Sequence, residues 1–114
     1  MTLTDLTSAH CTPLRGAQNQ LNAAQITEHL ALLPGWALIS GEIVREFRFA
    51  NYYESIAFVN ALAFIANAQD HHPELSVHYN RVQVRFSTHD VAGISLNDMI
   101  CAAKVSALIA DAPN

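Results

Sequence analysis

The chain carries little basic charge. Lys and Arg number 6 against 10 Asp and Glu, for a formal net charge of −4. The cations Arg15, Arg45, Arg48, Arg81, Arg85 and Lys104 are scattered. No basic stripe neutralises a phosphate backbone, so direct nucleic-acid binding is not expected. Cysteine is scarce too. Cys11 and Cys101 form neither a CxxC nor a zinc-site spacing, and a reducing compartment is the simpler reading. No apolar run approaches the roughly 20 residues of a membrane span. The N-terminal residues lack a basic stretch followed by an apolar one, so no signal peptide is expected. These absences point to a cytoplasmic protein that does not enter a membrane.

What is present fits one domain. The chain has 114 residues, enough to bury a core without metal or disulfide. Apolar residues make up 51% and charged residues 14%. That balance suggests apolar surface covered by another subunit. Residues 1–20 are polar and aperiodic, with Pro13 and Gly16, and read as a flexible tail. Residues 21–114 form the expected domain.

Asn22 and Gln25 make a capping-box pattern, flanked by Leu21 and Ile26 as a hydrophobic staple. Ile26, Leu30 and Leu33 continue one helical face until Pro34-Gly35. Trp36–Ile39 and Glu42–Phe49 read as strands around Ser40-Gly41. Asn51 and Glu54 open a second helix, predicted to be heavily buried, with Tyr52, Ile56, Val59 and Ala63 on one face. Phe58, Leu62 and Ile65 widen that face. The helix must end before Pro73. Leu75, Val77 and Tyr79 alternate with Ser76 and His78. Asn80-Arg81 turns the chain, and Val82, Val84 and Phe86 alternate with polar residues. Ser95 and Asp98 cap a last helix, with Ile94 and Met99 as its staple. Met99, Ala102 and Val105 continue its face towards Ile109 and the chain end. The expected fold is α+β, in the order α-β-β-α-β-β-α: a four-stranded antiparallel sheet with three helices packed on one face.

The chemistry gathers at one end of that sheet. His71 and His72 follow the second helix, and His89 follows the fourth strand. The third strand starts where the fourth ends, so the three histidines converge. The His89–Ile94 loop brings Asp98 near. Histidine, with an ordinary pKa of about 6.5, suits proton transfer near neutrality. A helix C-terminus also favours the imidazolium of His71 and His72, although that electrostatic effect alone places many histidines at helix ends. Asp70 lies past the last turn or orients a histidine. Asp98 doubles as a helix cap, and Thr88 as an ordinary strand-end residue. Gly93 is expected to serve the turn before the last helix. His10, His29 and His78 read as structural or solvated. A zinc site built from His71, His72, His89 and an acid is the chemical alternative. Adjacent histidines in extended chain point apart, which disfavours it, and there is no HExxH helix.

Asp70-His71-His72-Pro73-Glu74, Tyr79-Asn80-Arg81-Val82, Ser87-Thr88-His89, Ala92-Gly93-Ile94-Ser95 and Asp98 together resemble the pterin-4a-carbinolamine dehydratase family. The likeness runs from about Leu30 to Leu108, and Ala9-His10-Cys11 resembles bacterial members. The resemblance implies the same α+β fold, dimers or tetramers, and no cofactor. The implied reaction dehydrates 4a-hydroxytetrahydropterin to quinonoid dihydropterin. It assigns His71 and His89 as general acid and base, and His72 as a group that binds or orients the pterin. Asp70, Pro73, Thr88, Asp90, Val91 and Asp98 become substrate-binding or supporting residues. Two positions depart from the family pattern. Asn67 stands where many members have an acid, and Leu75 where many have an aromatic residue. A functional link to an aromatic amino acid hydroxylase follows from pterin recycling. The alternatives are a protein-binding dimerisation cofactor or coactivator-like module, and an accessory role in molybdopterin metabolism.

Overall fold

The computed structural model describes residues 1–109. Its four strands are β1 (Ala37–Ile39), β2 (Glu42–Arg48), β3 (Glu74–Val77) and β4 (Arg81–Phe86). They form one antiparallel sheet in the order β1-β2-β4-β3. The described residues hold four α-helices: α1 (Leu3–Ser8), α2 (Ala23–Leu30), α3 (Tyr52–Gln69) and α4 (Leu96–Ala107). The α+β architecture is therefore as expected, with one helix more.

The extra helix lies in the segment expected to be a tail. Thr2 caps α1 reciprocally with Asp5, and α1 packs against α4. Lys104 Nζ donates to the Thr7 carbonyl at 2.7 Å. A six-residue helix has too few positions to display a period, so only packing reveals it. Leu6 is 0% exposed and belongs to the core, whereas Leu3 is exposed. Leu6→Ala should therefore cost about 2–5 kcal/mol and Leu3→Ala less than about 0.5 kcal/mol. Urea unfolding of the two variants checks this, and equal midpoints would return the segment to the status of a tail.

The core fills the space between α3, α4 and one sheet face. Ile43 and Phe47 on β2 and Val82, Val84 and Phe86 on β4 supply its strand side. Arg45 shares this face, which the hydrophobic pattern alone does not explain. Its guanidinium lies over the Phe47 ring, 4.4 Å from the centroid, and donates to Ser106 Oγ at 3.1 Å. Cation–π contact and a hydrogen bond let the charge lie half-buried.

Several boundaries shift. Strand β1 starts after Trp36 and β2 ends before Phe49. The second hairpin turns at Tyr79-Asn80, because Arg81 already pairs with Arg48 and its carbonyl accepts the His78 N–H. Helix α4 ends at Ala107, and residues 110–114 lie outside the described residues.

The largest difference is the face of α3. Ser55, Phe58, Leu62 and Ala66 are buried, while Tyr52, Tyr53, Ala63 and Phe64 are exposed. Apolar residues surround this helix on all sides, so periodicity cannot choose which stripe faces the sheet. Tyr53 and Phe64 remain 82% and 79% exposed.

Candidate active site

The end of α3 sets the first histidine. Asp70 adopts a left-handed conformation (φ 49°) at the helix C-terminus. The His71 N–H then reaches back to the Ala66 carbonyl at 3.1 Å. This is a Schellman-type ending, and aspartate tolerates the left-handed position better than most residues. The reversal turns the His71 ring inward against Phe86. The two rings stack with centroids 5.9 Å apart and 7° between planes.

The strand end and α4 supply its partner. Thr88 and Gly93 form an antiparallel bridge that closes the loop carrying His89 and Asp90. The positive-φ residue of this loop is Ala92 (φ 57°) rather than Gly93. Gly93 instead admits Gln20: a Cβ there would lie 3.3 Å from the Gln20 side chain, whose amide donates to the Val91 carbonyl at 2.6 Å.

Asp98, 0% exposed, sits at the centre of the network. Oδ1 lies 2.6 Å from His71 Nε2. Oδ2 accepts from Thr88 Oγ1 at 2.7 Å and from the Ser95 N–H at 2.9 Å. Thr88 Oγ1 and Ser95 Oγ are 2.6 Å apart. Since Thr88 spends its proton on Asp98, Ser95 donates to Thr88. Asp98 thus accepts at both oxygens and His71 donates through Nε2–H. That leaves Nδ1 as the imidazole nitrogen free to exchange protons.

Burial pushes the His71 pKa down, but the hydrogen bond and charge of Asp98 outweigh it, with smaller contributions from Cys11 and Asp70. The net direction is up. A raised folded-state pKa stabilises the fold fully below the unfolded pKa of about 6.5, and this contribution is lost as pH rises through the folded value. Unfolding free energy should therefore fall on the alkaline side of about pH 6.5. His71→Gln should flatten that slope, measured by urea midpoints across pH. An unchanged slope would mean that the pair does not bind its proton more tightly in the folded protein.

A cavity of about 310 Å³ opens beside this network. Cys11, Thr12, Leu14, Gln69, Asp70, His71, Thr88, Asp90 and Asn97 line it. Of the residues singled out from sequence, Asp70, His71, Thr88 and Asp90 meet here, with Asp98 behind His71. His72 and His89 are exposed and Pro73 is half-exposed; none of the three is in the wall. The Val91 side chain is buried, and its carbonyl is held by Gln20. Asn67 lends its carbonyl to the helix ending, and Leu75 packs on the core. Cys11, Gln69 and Asn97 were not expected in the wall. Only the Ala9-His10-Cys11 likeness hinted that the N-terminal residues bear on function. Among the described residues, no group of three or more His, Cys, Asp or Glu side chains is arranged to hold a metal ion. No described helix is long and apolar enough to cross a membrane.

The pterin 4 alpha carbinolamine dehydratase family model matches residues 19–108. The chain belongs to that family. A Stenotrophomonas maltophilia (strain R551-3) protein, provisionally named pterin-4-alpha-carbinolamine dehydratase, is 54% identical over 97% of each chain. A similarly named Xanthomonas campestris pv. campestris (strain 8004) protein is 56% identical, covering 93% of this chain and 92% of its own. A crystal structure described as a transcriptional coactivator/pterin dehydratase from Brucella melitensis has a TM-score of 0.76 and 34% identity. The match covers 79% of this chain and 98% of that one. The carbinolamine dehydratase family match also takes in the Asp70–Asp98 segment on which the site is built.

Proposed function

We propose that this chain dehydrates 4a-hydroxytetrahydropterin to quinonoid dihydropterin and water by histidine acid–base catalysis. The observation that carries the reading is the His71–Asp98 pair in the wall of a cavity large enough for a small ligand. In the step, a protonated imidazole gives its proton to the C4a hydroxyl. The N5 lone pair forms the new double bond as the C–O bond breaks. A base then removes the N5 proton. His71 handles protons at Nδ1, with Asp98 holding Nε2–H. His89 serves as the second acid–base group and His72 as a group that orients the pterin. Both reach the substrate from the exposed side of the loop ends. Asp70, Thr88 and Asp90 shape the pocket and Asp98 supports it, whereas Pro73 and Val91 lie outside its wall. Tetrahydrobiopterin recycling alongside an aromatic amino acid hydroxylase, in the cytoplasm, is the biological setting that fits the reaction.

The direct test follows dehydration of 4a-hydroxytetrahydropterin by ultraviolet absorbance, with and without the protein. The rate should rise with protein concentration and survive treatment with a chelator. No acceleration overturns the activity. Loss on chelation with recovery on adding zinc overturns the cofactor-free mechanism.

The exposed Tyr52, Tyr53 and Phe64 on α3 support an oligomer built through this helix, as a dimer or tetramer. Light scattering showing a monomer at micromolar concentration would remove it. The same face also supports a second reading, a coactivator-like module that docks another protein's helix. Absence of dehydratase activity together with helix binding at this face would favour that reading.

A further inference from the structure

Cys11 and Cys101 are 90 positions apart in sequence, yet their sulfurs lie 3.6 Å apart as free thiols. The approach is built rather than incidental. The Cys11 N–H donates to Gln69 Oε1 of α3 at 2.8 Å. The Thr12 N–H donates to Asn97 Oδ1 at 3.2 Å, and Asn97 Nδ2 donates to the Thr12 carbonyl at 2.7 Å. Asn97 and Cys101 are one turn apart on α4 and share its face. The chain at Cys11-Thr12 is thus clamped between two helices, with its sulfur aimed at Cys101.

The two thiols differ in access. Cys101 is fully buried, and Cys11 lies half-exposed in the cavity wall. We propose that they form a thiol–disulfide exchange pair for a low-molecular-weight disulfide, in which Cys11 attacks and Cys101 resolves. A partly exposed thiol poised next to a second one is the arrangement of redox-responsive sites. The hydrogen bond from Cys101 holds the Cys11 thiol below its ordinary pKa against burial, and the same contact holds Cys101 above its own.

The Cys11 thiolate attacks one sulfur of, for example, oxidised glutathione, whose S–S bond breaks to release one glutathione thiolate. Cys101 then gives up its proton and attacks the Cys11 sulfur, releasing the second glutathione. Two protein thiols are oxidised to one disulfide, and one glutathione disulfide is reduced to two thiols, which take up the two protons. The sulfurs need to close from 3.6 Å to about 2 Å. The bond ties the N-terminal segment to α4 along the cavity wall that also holds His71. Its formation does not depend on the dehydratase reading, because it is observed as covalent change.

The folded full-length chain is incubated with oxidised glutathione at neutral pH and followed by intact mass, free-thiol titration and peptide mapping. Wild type should lose both thiols, yield a Cys11–Cys101 linked peptide and recover both thiols with dithiothreitol. Cys101→Ser should stop at a glutathione adduct on Cys11. Cys11→Ser should retain its thiol until the protein is unfolded. The linked peptide is read on wild type alone, so a poorly folding variant does not block the test. Wild type that accumulates the adduct without resolving it, or Cys11→Ser that reacts as fast as wild type, overturns the proposal.

Discussion

His71→Ala should lower kcat by at least one decade, and by about 10²–10⁴-fold on the usual contribution of a positioned acid–base group. Its ring is the only one of the three site histidines that is both held by a buried carboxylate and part of the cavity wall. His89→Ala should also lower kcat by at least one decade. His72→Ala should act more on KM, as an orienting group supports ground and transition states together. His78→Ala is the internal control. Its ring is exposed at the opposite end of the β3–β4 hairpin, where its N–H meets the Arg81 carbonyl. Steady-state kinetics of the four variants, with unfolding curves to confirm folding, give the ranking. If His78→Ala loses as much as His71→Ala, the site belongs at the other end of the sheet.

The sequence made this end of the sheet legible because strand alternation and capping patterns are local signals. Leu75, Val82, Val84 and Phe86 announce an antiparallel pair, and its geometry carries His71 towards Thr88. Asp98 was readable as a cap, and the cap hydrogen bond is present. Its second oxygen, turned to His71, reflects a tertiary contact between α4 and the end of α3 that no period encodes. The stripe of α3 that faces the sheet was illegible for the opposite reason: too many of its positions are apolar. The cavity's other wall stayed hidden because Cys11 and Thr12 are placed by Gln69 and Asn97, side chains with no pattern of their own. The expected convergence of three histidines holds at the level of strand ends. At the level of side chains, His71 alone turns inward, because the left-handed Asp70 reverses the chain just before it.

Asp98→Asn should damage catalysis while sparing the fold. The Ser95 N–H can only donate, so the atom at the Oδ2 position must remain an acceptor. The substituted amide therefore places its carbonyl oxygen there, keeping the bonds from Ser95 and Thr88, and its NH₂ at the Oδ1 position facing His71. An NH₂ group cannot accept from Nε2–H. His71 must switch tautomers, with Nε2 accepting and the proton moved to Nδ1, the nitrogen that Asp98 leaves for proton exchange. The imidazolium also loses its buried anion, so burial is opposed only by the smaller effects of Cys11 and Asp70, and its pKa falls. The tautomer switch takes from Nδ1 the lone pair that accepts a proton, and the lower pKa disfavours the imidazolium that donates one. In the best-studied histidine–carboxylate pair the same exchange costs about 10⁴-fold in kcat. A loss of about 10²–10⁴-fold is expected here, with KM little changed. Nitrogen NMR of the imidazole should report the tautomer switch, and the pH–rate profile should move to lower pH. Asp98→Ala is the harsher comparison: it strands three donors around a buried gap and should cost about 3–5 kcal/mol of stability. A folded Asp98→Asn protein with wild-type kcat would remove the carboxylate from the mechanism and reduce Asp98 to the helix cap that its sequence pattern already explains.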